Sequence, residues 1–475
     1  MGSGGSDSGY GAAGGKGAAS PGADAGGDPA WVASLRSFTG AAPVSSERLD
    51  VAKFFFILLV CAGHFCEPFY KVGNKTAQVF MHAIYGFHVP AFVLISGYVS
   101  GDLNPKRRRA LIGGIVAPYV ILHVLYSVAY TRAFCERTDG RPQCEFVNGW
   151  SLIDPKQGQW DGWDKWTFGY PFAQLWYLVS LMTKRVWRPF ALEMRWTLLF
   201  HVVLGVLVGY TTVGRFLSLH RSTVHMPYFL CGFLMKKHRC FFPEARSATQ
   251  KTLAYAALAC NLLAAVVASL VFDMRVEVWF QSDPHDEVYG KRWAWGPVFQ
   301  LGLYVWTFFT MAIAFALVPE PERAGVVYPG EDDQGESAGL LGDAFASAAA
   351  GPGGADNKPA NKARTRRAGR YGRERDQDAL GPRVYLRLAK WGSRTLYPFI
   401  LHIAALLLVA KYTDWFEITW HVPGNEWAVT QRLLLTVVLS AIITLLLSLK
   451  PATNAFRWLL EPDITALYNP ELQKL

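Results

Sequence analysis

The seven cysteines show no metal-ligand spacing such as Cys-x-x-Cys. No set of Asp, Glu and His stands at ligand spacing either, so neither a metal nor a bound cofactor is expected. The alternating short strands of a membrane barrel are missing, because the apolar runs are continuous. Residues 1–45 carry almost no large apolar side chain. They are mostly Gly, Ala, Ser and Pro, cannot offset their ordering entropy, and read as a disordered tail. That tail also lacks the positive start and short apolar stretch of a signal peptide, which leaves targeting to the first apolar helix.

What the chain has is apolar sequence in long blocks. Hydrophobic residues make up 51% of the 475, and the distribution matters more than the share. A run of about 20 apolar residues crosses a hydrocarbon core of about 30 Å as a helix. A helix satisfies its own backbone groups in lipid, and an irregular chain does not. The expected fold is therefore all-α, a polytopic transmembrane helix bundle of about ten spans. They fall near 51–70, 79–100, 111–131, 170–187, 195–213, 223–236, 251–272, 296–318, 393–411 and 429–449. The fourth and sixth are short or interrupted, at Gln174 and Pro227.

The net charge of +10 invites a nucleic-acid reading, but the basic residues cluster beside apolar segments. Lys106, Arg107, Arg108 and Arg109 follow the second span, Lys184, Arg185, Arg188 and Arg195 the fourth, and Lys236, Lys237 and Arg239 the sixth. Arg364, Arg366, Arg367, Arg370 and Arg373 lie between the eighth and ninth. If the spans alternate, all of these share one side, which is then cytoplasmic and holds both termini. The opposite loops are 132–169, 273–292 and 412–428. The first holds Cys135 and Cys144, which read either as a disulfide in an oxidising compartment or as two free thiols. The membrane core is expected over 46–318 and 383–450. An unstructured cytoplasmic insert separates the two parts over 319–382, and a cytoplasmic tail follows over 451–475.

Polar residues inside apolar runs are costly in hydrocarbon and should face a cavity or a partner. Lys53 and His64 stand eleven positions apart in the first span. That is about three turns and about 16 Å of rise, so both occupy one face. Asp50 is placed to pair with Lys53. A histidine can take and return a proton near neutral pH. At a cavity wall His64 could deprotonate a hydroxyl; it reads equally as a packing residue or part of a transport relay. Glu67, three positions on, could orient His64, hold substrate or face water. The second span holds His88, Pro90 and Ser96-Gly97-Tyr98, where the small pair favours close helix approach. Trp176-Tyr177 is a cavity wall or an interfacial aromatic pair. His402 lies within the ninth span.

Four segments together resemble the membrane-bound acyltransferase-3 superfamily, nearest its fucose 4-O-acetylase-like branch. They are Lys53-x10-His64 with Arg48 and Asp50 upstream, and the Phe-His-x-Pro-x-Phe-x-x-x-Ser-Gly-Tyr run from Phe87 to Tyr98. The third joins the Leu-Trp-Tyr-Leu run at 175–178 to the Pro-Tyr-Phe-x-x-Gly run at 227–232. The fourth is the Gly-x-x-Thr-Leu-Tyr-x-x-x-x-His run from Gly392 to His402. Val89 and Ala91 depart from the Met and Leu common in that branch.

The resemblance implies transfer of an acyl group, usually acetyl, from acyl-CoA as co-substrate to a hydroxyl of a sugar or glycan. It implies His64 as catalytic base, with Glu67 beside it. Arg48 and Lys53 would hold the anionic acyl-CoA. His88, Ser96, Trp176 and His402 would line or support the cavity. The expected partners are membrane lipid, acyl-CoA and a glycan acceptor, with no nucleic acid. The expected location is the plasma membrane, the Golgi or the endoplasmic reticulum. The competing class is a polytopic transporter of a small polar or glycosidic solute, relaying protons through its intramembrane histidines. The lack of internal duplication weighs against it without excluding it.

Overall fold

The computed structural model describes residues 43–138, 141–144, 169, 171–211, 213, 216–326, 380–416 and 426–464. Helices α1 (Ser46–Lys71), α2 (Lys75–Tyr85) and α3 (His88–Val99) open the bundle. Ser45 caps α1, its hydroxyl accepting from the Arg48 amide at 3.2 Å, and Asn74 caps α2 in the same way. The break between α2 and α3 follows from Pro90, which has no N–H to give to the Gly86 carbonyl. The Thr307 hydroxyl donates to that carbonyl instead, at 2.7 Å. Thus a backbone group orphaned by proline is satisfied from a different helix.

Next come α4 (Pro105–Leu111), a π-helical turn (Ile112–Val116) and α5 (Ala117–Phe134), which leads into a hairpin of β1 (Cys135–Thr138) and β2 (Arg141–Cys144). After these stand α6 (Trp176–Leu192), α7 (Thr197–Leu207), α8 (Leu219–Val224), α9 (Met226–Lys237) and α10 (Ala248–Leu270). The remaining helices are α11 (Glu277–Phe280), α12 (His285–Tyr289), α13 (Gly296–Ala316), α14 (Leu380–Gly392), α15 (Leu396–Tyr412), α16 (Glu426–Ser448) and α17 (Lys450–Leu460). The fold is helical, as expected, with the hairpin as its one sheet among the described residues.

The count of about ten spans is not reached by length. Among the described residues, six helical stretches are long and apolar enough to cross a membrane, α2 and α3 counting as one, and seven if α14 and α15, bent by 72°, form one broken span. The expected fourth, fifth and sixth spans are the short ones. Helix α6 has 17 residues and carries Lys184, Arg185 and Arg188. Helix α9 has 12, and at about 1.5 Å per residue covers only about 18 Å. The stretch that leads into α9 is polar, with His220, Arg221, Ser222 and Thr223 on α8, and the break between α8 and α9 falls at His225, just before Pro227.

Helix α1 is central, with 72% of its apolar window buried, whereas α10 and α16 are only 22% and 28% buried there. Their outer faces, such as Leu253, Leu263, Leu434 and Leu446, stay exposed as lipid-facing surface would. Contacts gather the helix ends at two poles. At one, Arg48 meets the end of α13, Arg188 meets Asp102, and Arg394 donates to the Ser448 carbonyl. At the other, Tyr70 and Lys71 meet Glu277, and Lys75 meets Asp273 at 2.5 Å. The Lys75 ammonium holds the exposed Asp273 carboxyl below its ordinary value.

Two expected boundaries shift. Residues 319–326 are ordered, with a turn at Pro321–Ala324 and Tyr385 donating to the Pro319 carbonyl at 2.8 Å. Residues 327–379 of the expected insert, and 1–42 of the expected tail, lie outside the described residues. The C-terminal segment is not simply a tail, because α17 packs back against the bundle through to Leu460, which is fully buried.

Candidate active site

Close backbone packing brings the distant segments together. Gly97 on α3 lies against the Phe229 carbonyl of α9, and Gly232 on α9 lies against the Leu94 carbonyl of α3. A β-carbon at either would overlap backbone, so the two helices interlock through glycine. Gly392 likewise sits on the Asp50 carbonyl, which fixes the α14–α15 corner on the start of α1. Ser96 and Tyr177 then share a hydrogen bond at 2.9 Å between α3 and α6. Ser96 is a packing and lining residue in this setting.

A cavity of about 270 Å3 opens at the pole where α1 begins. Lys53, Ser96, Tyr177, Phe399, Arg394 and Arg457 are among its lining residues. Lys53 pairs with Asp50 at 2.5 Å, which holds the ammonium at the wall. Tyr397 donates to Glu461 at 2.9 Å and Arg457 pairs with the same carboxylate at 3.1 Å, so the end of α17 forms part of the wall. Arg48, expected beside Lys53 in donor binding, is placed differently. Its side chain is buried and donates to the carbonyls of Phe315 and Val318, each at 2.8 Å, and to Glu320 at 3.1 Å. It closes the C-terminal end of α13, where carbonyls lack helical partners, and is not a lining residue of the cavity.

One turn past Phe399 on α15 is His402, which is fully buried. Its Nδ1–H donates to the Pro398 carbonyl at 2.9 Å. That bond leaves Nε2 as an acceptor, buried and with no partner among the described residues. The His402 ring lies 5.1 Å from the His64 ring, centroid to centroid. Glu67 is 3.4 Å from Nδ1 of His64, within ion-pair range but not aligned as a hydrogen bond. His64 is about a quarter exposed, at 24%, so its ring has open space beside it. His88 is within electrostatic range of His64 as well. Its own Nδ1–H is taken by the Ile84 carbonyl at 2.7 Å, and it packs edge-on to Tyr85. His88 is thus a support, while His64 is the histidine with both a carboxylate and free space.

Trp176 stands farther along, under the Arg221 guanidinium at 4.5 Å and 6.0 Å from the His225 ring. Arg221 also donates to the Phe280 carbonyl at 3.1 Å and lies within electrostatic range of Tyr85, whose ring covers Gly63 beside His64. The structure therefore brings Glu67, His88 and His402 to the surroundings of His64 and places Lys53 and Ser96 on the wall of the cavity. Arg394 and Tyr397 were within reach of the sequence, since they sit inside the Gly392-to-His402 run. Arg457 and Glu461 were not, because they lie on the segment taken for a tail. Cys135 and Cys144 are opposite each other in the hairpin register; their side chains lie outside the described residues.

The profile of a family described as an acyltransferase domain matches residues 46–327, more than half of the chain. No curated protein and no solved structure matches it.

Proposed function

The chain belongs to the acyltransferase-3 family and is a membrane acyltransferase; from that premise we propose that it moves an acyl group, acetyl by preference, from acyl-CoA to a hydroxyl of a sugar or glycan. The observation that carries the reading is the placement on one face of α1 of Lys53, which lines the cavity, and His64, which stands beside Glu67. Lys53, Arg394 and Arg457 supply three cations at the cavity, suited to the phosphates of a CoA donor. Phe92, Phe399 and Leu178 give it apolar walls for the pantetheine arm.

His64 then acts as general base. It takes the proton of the acceptor hydroxyl as that oxygen attacks the thioester carbon. The tetrahedral oxyanion collapses, the carbon–sulfur bond breaks, and the leaving thiolate of CoA takes the proton held on His64, which returns the base to its neutral form. The new bond is the acyl ester. Glu67 orients the imidazole and stabilises the imidazolium, the role a carboxylate plays in other histidine-base sites. His402 holds its place through the Pro398 carbonyl and packs its ring beside that of His64. On this reading the basic pole faces the cytoplasm, where acyl-CoA is made, together with both termini. Family membership leaves the transporter alternative without favour.

The experiment is acyl transfer from acetyl-CoA to candidate glycans by purified protein, wild type against His64→Ala. Loss of a general base costs about 10²- to 10⁴-fold in rate. Wild-type transfer by the variant would remove His64 from the mechanism.

A further inference from the structure

Helix α1 carries another cation on the face that Lys53 and His64 share. Lys71 follows His64 by seven positions, about two turns and about 10 Å of rise, and it follows Lys53 by about five full turns. Lys53 lines the donor cavity at one pole. Lys71 lines a second cavity, of about 340 Å3, at the opposite pole, where the end of α1, the start of α2 and residues 273–277 meet.

The two cavities differ in kind. Phe92, Phe399 and Leu178 stand in the wall of the first. Among the described residues, the second has no Leu, Ile, Val, Met or Phe in its wall. Tyr70 is its one ring, and the Lys71 ammonium lies 5.8 Å from the centre of that ring. An apolar arm gains little in such a space, whereas a hydroxyl-rich ligand finds donors and acceptors throughout. The volume lies near the lower end of the range for small-ligand sites, about 300–1,000 Å3.

Its charges are unequal. Lys71, Lys75 and Arg275 face only Asp273 and Glu277. Lys75 is matched, donating to Asp273 at 2.5 Å and to the Gln78 side-chain oxygen at 3.0 Å. Lys71 and Arg275 share Glu277 and neither closes on it. Their distances are 3.5 and 3.6 Å, against about 2.7–2.9 Å for a charge-assisted hydrogen bond. The near place at that carboxylate belongs to the Tyr70 hydroxyl, which donates at 2.7 Å and accepts from the Val276 amide at 3.3 Å. Arg275 also gives an N–H to the Glu287 carbonyl at 3.2 Å. One further carboxylate would balance this wall, and a doubly charged phosphate would exceed it.

We propose that this cavity holds a carboxylated sugar of the acceptor glycan, with its carboxylate between Lys71 and Arg275. The occupant's being part of the acceptor rests on the transfer reading above; the charge and polarity of the cavity do not. Because Lys71 stands about 10 Å beyond His64 along α1, the hydroxyl that reacts belongs to a neighbouring sugar, not to the one held. The cavity thus selects acidic glycans.

The test uses the full chain in nanodiscs of neutral lipid, without acyl-CoA. The probes are a tetramer of β-linked glucuronic acid and the same tetramer with its carboxyl groups reduced to alcohols. Calorimetric titration should show the acidic tetramer bound about tenfold or more tightly than the reduced one. Lys71→Gln and Arg275→Gln, each made alone, should each lose most of that preference, the effect of removing one charged donor. Both positions are more than a third exposed and glutamine keeps a donor toward Glu277, so an unfolding midpoint near that of wild type is expected. Lys53→Ala, in the donor cavity, should keep the preference. Equal binding of the two tetramers by wild type overturns the proposal, as does binding of neither. So does a preference that survives both cavity variants. Adding acetyl-CoA then separates the two readings. Selective binding without transfer leaves the cavity and removes the acceptor role. Transfer to both tetramers alike, with equal binding, leaves the transfer reading and removes the cavity.

Discussion

Arg48 gives the sharpest test of what the structure adds. Its place in the first signature suggests donor binding, yet its guanidinium is committed to Phe315, Val318 and Glu320. Replacing it with Ala leaves two buried carbonyls at the end of α13 without donors, at about 1–3 kcal/mol each. The lost charge pair adds little, because Glu320 is 27% exposed and regains water. Arg48→Ala should therefore cost about 3–5 kcal/mol, a large part of a total of about 5–15. Glu320→Gln should cost no more than about 1 kcal/mol. The assay is thermal unfolding of both variants in nanodiscs, alongside KM for acyl-CoA on the folded fraction. A large loss of stability for Arg48→Ala, a small one for Glu320→Gln and an unchanged KM support the latch. An Arg48→Ala protein as stable as wild type, with KM for the donor raised tenfold, would refute it.

Lys53→Ala and Arg457→Gln should each raise KM for acyl-CoA by about tenfold with a smaller effect on kcat, since each removes one cation from the cavity wall; steady-state kinetics at varied donor decides this. Gly97→Ala should destabilise by about 1–3 kcal/mol through overlap with the Phe229 carbonyl, read as a lowered unfolding midpoint; an unchanged midpoint would mean that α3 and α9 are not locked there. Glu67→Gln should lower kcat while leaving the donor KM in place, and equal changes in both would assign Glu67 to binding instead. The hairpin register leads us to expect a Cys135–Cys144 disulfide. Both thiols should resist alkylation until reductant is added, and ready labelling of the unreduced protein would count against the bond.

The Lys53–His64 relation was legible because eleven residues of helix return to the same face, a local rule that needs no partner. The membrane class was legible for a similar reason, since continuous apolar runs have few other fates. The span count was less so. Hydropathy does not register the backbone breaks at Gly86 and His225, which depend on Pro90 and Pro227 and on Thr307 and Tyr304 supplying donors from other helices. Helix α17 went unread because its apolar and polar residues alternate between two faces, so its average is not apolar.

The sequence by itself determined a helical membrane protein, the shared face of Lys53 and His64 on α1 and the family resemblance carried by four short segments. Only the tertiary structure decided what those segments do to one another. Gly97 and Gly232 matter because two backbones touch, Gly392 because it seats a corner on Asp50, and His402 because α15 brings it 5.1 Å from His64. These are contacts between residues far apart in the chain, and no local period encodes them. Arg48 was placed by the same kind of contact: its charge suits a phosphate, but the nearest unsatisfied groups in the folded chain are the carbonyls that end α13.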